Sequence, residues 1–154
     1  MRQARAEDAR LLWRWSNDPL VLEMAFDPAP LVWEDFQAWL SARLADPQWL
    51  VTVLETPKGV AIGQLRFEPR PEGWEIDFSI AFEFRGQGYG AFLICEGLAL
   101  ARRRFPAEAR IAARVLTHNA RSLAACTRAG FVSTESGVET GRTYVRLERA
   151  LGSA

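Results

Sequence analysis

Residues Arg85 to Gly90 read Arg-Gly-Gln-Gly-Tyr-Gly, between a strand-like run, Trp74 to Phe82, and a helix-like run, Ala91 to Phe105. Glycine at every second position leaves a bare backbone that a ligand can approach closely and that accepts angles other residues avoid. The N–H groups of such a loop and of the first helical turn have no partners in the chain. The positive end of the helix adds to their pull on an anion. Arg85 places a fixed positive charge at the entrance, and Gly86, Gln87, Gly88, Tyr89, Gly90 and Ala91 complete the cradle. The chemistry that suits these residues is the grip of a diphosphate.

Two familiar phosphate loops fit poorly. Gly86, Gly88 and Ala91 match G-x-G-x-x-A, but a dinucleotide fingerprint belongs to the first strand of a βαβ unit, with an acid about 20 residues on. Here the loop lies past the middle of the chain, and the next strand ends in Arg114, Val115, Leu116 and Thr117. A Walker loop needs Gly-Lys-Ser/Thr, which is missing.

The elements that position this loop follow from length and pattern. A chain of 154 residues with 49% hydrophobic residues is expected to form one domain, residues 1–154, around a real core. Basic and acidic residues balance at 19 each, which argues against nucleic-acid or membrane-surface binding. Two cysteines, Cys95 and Cys126, are too few for a disulfide framework. With no signal peptide and no spanning apolar run, the expectation is a reduced, cytoplasmic setting. No metal-ligand cluster stands out.

The pattern predicts an extended piece at Arg2 to Arg5, then a helix from Asp8 to about Asn17 that Pro19 stops. A second helix covers about Trp33 to Leu44. Strands follow at Trp49 to Glu55, Val60 to Phe67 and Trp74 to Phe82. In the last of these, Ile76, Phe78, Ile80 and Phe82 alternate with Glu75, Asp77, Ser79 and Ala81. A helix follows the glycine loop. Then come a strand at Arg110 to Leu116, a helix capped by Asn119 and ended by Gly130, and a pair of strands at Phe131 to Thr134 and Thr143 to Leu147. The order is β-αα-βββ-α-β-α-ββ, a mixed α/β sheet.

This order, with Arg85, Gly88 and Gly90 between the fourth strand and the third helix, resembles the GCN5-related N-acetyltransferase (GNAT) family, whose hallmark is Gln/Arg-x-x-Gly-x-Gly/Ala. The run from Asn119 to Gly130 and Phe131 matches a second family pattern. The resemblance covers nearly the whole chain. It implies a mostly antiparallel sheet of about seven strands with four helices, splayed between strands 4 and 5. It also implies acetyl-CoA as donor, with its diphosphate on the loop. The pantetheine arm would bond the backbone of Ile80 and Phe82, and Asn119 and Ser122 would stand at the mouth of the fourth helix.

N-acetylation needs a neutral amine beside the thioester and the removal of one proton. Asp77, and after it Glu75, are the candidate bases on the polar face of the fourth strand. His118, the only histidine, is a third. Many family members carry Tyr seven residues after the Asn, as the acid for the leaving thiolate, whereas this chain has Cys126. That departure keeps open a catalytically silent acyl-CoA-binding module. Trp13, Arg14, Asn17, Trp33 and Arg66 are the candidate acceptor-site residues.

Trp13 to Pro19 and Gly63 to Glu68 resemble the branch that acetylates nucleotide-linked amino sugars on the way to pseudaminic-acid-type products. In that case Arg14 and Arg66 would meet the acceptor's phosphates. Asn-Asp-Pro also occurs in ribosomal-protein N-terminal acetyltransferases, so a protein N-terminus is the alternative acceptor. A monomer or homodimer is expected.

Overall fold

Alternating and continuous apolar runs become seven strands in one sheet, ordered β1-β2-β3-β4-β5-β7-β6 in the computed structural model, which describes residues 1–152. The strands are β1 (Arg2–Gln3), β2 (Leu50–Glu55), β3 (Ala61–Arg70), β4 (Gly73–Ile80), β5 (Arg110–Leu116), β6 (Val132–Glu139) and β7 (Arg142–Ala150). The helices are α1 (Ala9–Ser16), α2 (Pro19–Glu23), α3 (Trp33–Ala45), α4 (Tyr89–Ala101) and α5 (Ala120–Arg128).

All neighbouring strands run antiparallel except β4 and β5, which run parallel and pair only at Trp74↔Ile111 and Glu75↔Ala112. Beyond those two pairs the strands part, opening the expected splay. Each keeps its outer partner, β4 on β3 as far as Ile80 and β5 on β7 as far as Leu116. The split therefore leaves two held strands with free inner edges.

One face of the sheet carries α4 and α5 over a core that includes Leu65, Phe67, Ile76, Leu93, Ile94 and Leu98. Gly97 lets α4 lie close, since a Cβ there would fall 2.0 Å from Leu65 Cδ2. The other face is covered by α1 and α3 only at the β1–β2 edge, where Leu12, Phe36 and Leu40 close over Val51 and Val53. Strand alternation then turns Arg66 and Glu68 of β3, Glu75 and Asp77 of β4 and Arg114 of β5 away from the main core. They line a cleft.

Three expectations are corrected. Pro19 does not end the helical region but starts α2 as its first residue, with the Asp18 carboxylate accepting from the N–H groups of Leu20 and Val21. The described residues thus carry the four expected helices of seven or more residues, with the five-residue α2 as a fifth. Strand β4 stops at Ile80, because Phe82–Phe84 form a turn of 3-10 helix. The alternation fails there: Ala81 is buried and Phe82 is 74% exposed. The last hairpin is longer than expected. Its tip, Thr140 and Gly141, takes positive φ at both residues (51° and 75°), the twist that suits a two-residue hairpin turn. Strand β6 was under-read because it is polar on both sides, from Ser133 to Gly137.

Candidate active site

The free edge of β4 follows from register. Ala81 N–H donates to the Ile62 carbonyl, so residues of the same parity, Ser79 and Asp77, point their backbone groups at β3. The intervening Phe78 and Ile80 point theirs into the gap facing β5. Ile80 confirms the direction, since its carbonyl accepts from Arg85 Nε (2.8 Å) rather than from β3. An arm lying in the gap would meet the backbone of Phe78 and the N–H of Ile80. The expected Phe82 contact is corrected. That residue sits past the strand end, where its carbonyl accepts from Arg85 N–H and its side chain points to solvent.

At the end of this edge lies the glycine loop. Gly86 and Gly88 have φ of 76° and 84°, and a Cβ on either would meet no atom within 4 Å. Among the described residues, none fills the space immediately above them. Among the described residues, no backbone carbonyl outside α4 accepts the N–H groups from Gly86 to Ala91. Gly90 does a different job, since a Cβ there would stand 3.1 Å from Ala125 Cβ, where α5 rests on the start of α4. The Gln87 side chain folds back to donate to the Glu83 carbonyl (3.2 Å). Tyr89 packs edge-on against Phe84. Open space, positive-φ glycines and unpartnered amides at the mouth of a 13-residue helix fit a diphosphate.

Arg85 is not the free cation the motif suggested. Its side chain is 16% exposed and pairs with Asp18 (3.2 Å) while holding the Ile80 carbonyl. It braces the loop against the end of β4 and the start of α2.

The acceptor side carries a network of charges. Arg114 makes two hydrogen bonds to Glu75 (both 2.9 Å), reaches Glu139, and lies 4.9 Å from the Phe26 ring. Arg70 joins Glu75 as well (3.3 Å). Burial pushes the Glu75 carboxyl up, but the Arg114 hydrogen bonds and charge, with Arg70 adding, outweigh it and leave the group below the ordinary carboxylate value. Doubly held and hard to protonate, Glu75 is a poor base. Asp77 differs. Its side chain is 56% exposed in the cleft, with a single pairing to Arg66 Nη2 (2.9 Å).

The remaining expected residues divide. Arg66, Asn119 and Ser122 line the cleft. Asn119 Oδ1 caps α5 by accepting from Ser122 N–H (3.2 Å), which leaves its amide nitrogen for a ligand. Trp13, Arg14, Asn17, Trp33, His118 and Cys126 are not among the lining residues, and their expected contacts are corrected. Trp13 donates to the Leu31 carbonyl (2.7 Å) and packs edge-on to Trp33, over which Arg10 lies at 3.7 Å. Asn17 holds both backbone groups of Leu31, accepting at 2.7 Å and donating at 3.1 Å. These three side chains position the segment after α2, whose Asp27, Ala29 and Leu31 do line the cleft. Arg14 and His118 are exposed on the surface.

Cys126 is fully buried in the main core, and burial pushes its thiol up to about 12. It has no access to a leaving thiolate. Alkylation of the native protein, read by mass spectrometry, is expected to label exposed Cys95 and spare Cys126. Cys126→Ala is expected to lower stability by about 1–2 kcal/mol for the small cavity while leaving kcat within about threefold.

A model of the acetyltransferase (GNAT) domain matches residues 1–132 of this chain. The chain belongs to the GNAT acetyltransferase family. It is an acyltransferase, and its donor is acetyl-CoA. No curated protein matches the sequence of this acetyltransferase significantly.

Solved structures share its fold. The ribosomal-protein-alanine N-acetyltransferase from Brucella melitensis superposes with a TM-score of 0.81 at 24% identity, over 97% of this chain and 98% of that one. The spermidine N-acetyltransferase from Vibrio cholerae, in complex with CoA and spermine, gives 0.82 at 17% identity, over 97% and 94%. The aminoglycoside acetyltransferase AAC(6')-Ib, in complex with coenzyme A, gives 0.75 at 18% identity, over 97% and 92%.

Two features of this acetyltransferase site were not read from sequence. Phe78 shares the parity of Ile80 and lies deeper in the gap; the misplaced strand end hid it. Arg114 interrupts a strand of small apolar residues, Ile-Ala-Ala-Arg-Val-Leu, and a lone charge inside such a strand was the available signal.

Proposed function

We propose that this acetyltransferase modifies the primary amine of a small molecule that arrives as an ammonium ion, with Asp77 taking the proton. The observation that carries this reading is the polarity of the cleft, a single space of about 810 Å³ running from the glycine loop to the segment after α2. Its acceptor end is lined by Asp27, Glu68, Glu75, Asp77 and Glu139 against Arg66, Arg70 and Arg114, two carboxylates in excess. Its donor end has arginines and no carboxylate among the lining residues. Such a field draws a cation to one end and a polyanion to the other.

The chemistry follows from the elements around the gap. The donor supplies an activated acetyl thioester. A backbone N–H of Phe78 or Ile80, facing the gap, stabilises negative charge on its carbonyl oxygen. Once the ammonium has lost one proton, the amine nitrogen would bond to the carbonyl carbon and the carbon–sulfur bond would break, and the departing thiolate would take the second proton, released by the acylated nitrogen, so that CoA leaves as the thiol. The ammonium proton passes to Asp77 directly or through water.

Acceptor size is limited by a pinned wall. Thr140 Oγ1 donates to the Phe26 carbonyl (2.7 Å), Arg142 reaches the carbonyls of Ala25 and Glu23, and Phe26 packs edge-on to Tyr144 (5.6 Å). The β6–β7 hairpin thus holds the segment after α2 over the acceptor end. That enclosure favours a small molecule over a polypeptide N-terminus. A nucleotide-linked amino sugar, the narrower expectation, would bring a diphosphate to the acidic end. Arg14 lies off the cleft and Arg66 is already paired, so neither is available for it.

Thiol release from acetyl-CoA with a panel of amines tests this reading. The panel needs spermidine, an aminoglycoside, an alanine-initial peptide and a nucleotide-linked 4-amino sugar. Highest kcat/KM with one of the two phosphate-free small cations is expected. Preference for the peptide or the nucleotide sugar by tenfold or more would overturn it.

A further inference from the structure

Six arginines line the cleft, and four of them are spoken for by carboxylates: Arg66, Arg70, Arg85 and Arg114. The other two, Arg121 and Arg128, both lie on α5. Neither has a hydrogen-bond or ion-pair partner among the described residues, and α5 itself carries no acidic residue. They are seven residues apart, two helical turns, and so share a face about 10 Å long. Between them on that face lies Ala125, the residue that touches the start of α4 at Gly90. The two guanidinium groups therefore flank the point where α5 meets the amide cradle.

We infer that Arg121 and Arg128 form the cationic half of the donor site and hold the phosphates at the nucleotide end of CoA. This rests on the donor reading and extends it. The loop amides supply hydrogen bonds but only partial charge, and Arg85, the motif's own cation, is committed to Asp18. A donor with a diphosphate and a further ribose phosphate brings several negative charges to that end. The two uncompensated arginines on the adjoining helix are the matching charge. Exposed, partnerless and off the core, they contribute nothing visible to the fold.

Calorimetric titration with CoA, 3′-dephospho-CoA and pantetheine tests the assignment, on wild type and on Arg121→Ala, Arg128→Ala and the double variant. The double variant is expected to bind CoA at least tenfold more weakly, with a shallower dependence of log Kd on log salt. Pantetheine binding and the melting temperature are expected to stay unchanged. Arg121→Lys with Arg128→Lys is expected to recover most of the loss, because lysine keeps the charge. If one of the two holds the ribose phosphate, its single variant distinguishes CoA from 3′-dephospho-CoA less than wild type does. Equal loss for both ligands assigns the pair to the diphosphate. CoA affinity within twofold of wild type in the double variant would overturn the inference and leave the loop site intact. Absence of CoA binding by wild type would remove the donor site altogether.

Discussion

Asp77→Asn is expected to lower kcat by about a hundredfold or more while leaving the Kd for CoA unchanged, since positioned proton transfer contributes on that scale. The substitution is nearly isosteric and Asn can still accept from Arg66. The pair it weakens is half exposed, so stability is expected to change by less than about 1 kcal/mol. Glu75→Gln serves as the contrast. It strips one of two counter-charges from a mostly buried Arg114 and leaves Glu139, so it is expected to cost stability by about 1–2 kcal/mol, with a smaller loss of kcat in the protein that remains folded. Stopped-assay kinetics with thermal melts separate the two. Full activity in Asp77→Asn would hand proton removal to solvent or to another group.

Gly88→Leu is expected to weaken CoA binding by about a hundredfold or more while the fold persists. The residue sits at φ 84°, where a side chain costs about 1–2 kcal/mol, and its Cβ meets no protein atom. The new side chain has room in the chain itself and is forced into the space above the amides. Gly59 provides the control. It has φ 79° and equally open surroundings, but lies in the turn between β2 and β3 and not at the cleft. Gly59→Leu is expected to lose similar stability and no CoA affinity. Calorimetry on the two variants therefore divides backbone strain from ligand exclusion.

Where local pattern governs, the sequence was a good guide. Alternation and turn residues placed β2, β3, β5, α3 and α5 within a few residues. The glycine loop was legible because its chemistry is backbone chemistry, written by residues without side chains. The side-chain roles were less legible, because partners come from distant elements. Arg85 pairs with Asp18, 67 residues away, and Arg142 reaches Ala25, 117 away. No local pattern encodes such pairings. Trp13 and Asn17 were read as acceptor contacts because they lie in the right region. In fact they clamp Leu31, and through it they shape the wall without touching the cleft. Pro19 misled for a local reason: proline that blocks the end of one helix also suits the first position of the next.

The β4–β5 gap and the amide cradle together carry the donor site, and a crystal structure with acetyl-CoA tests both at once. The expected result is a diphosphate within hydrogen-bond distance of the N–H groups from Gly86 to Ala91. The pantetheine should lie between β4 and β5 against Phe78 and Ile80, with the acetyl group toward Asp77. A ligand bound elsewhere, or a gap left empty at saturating acetyl-CoA, would contradict it.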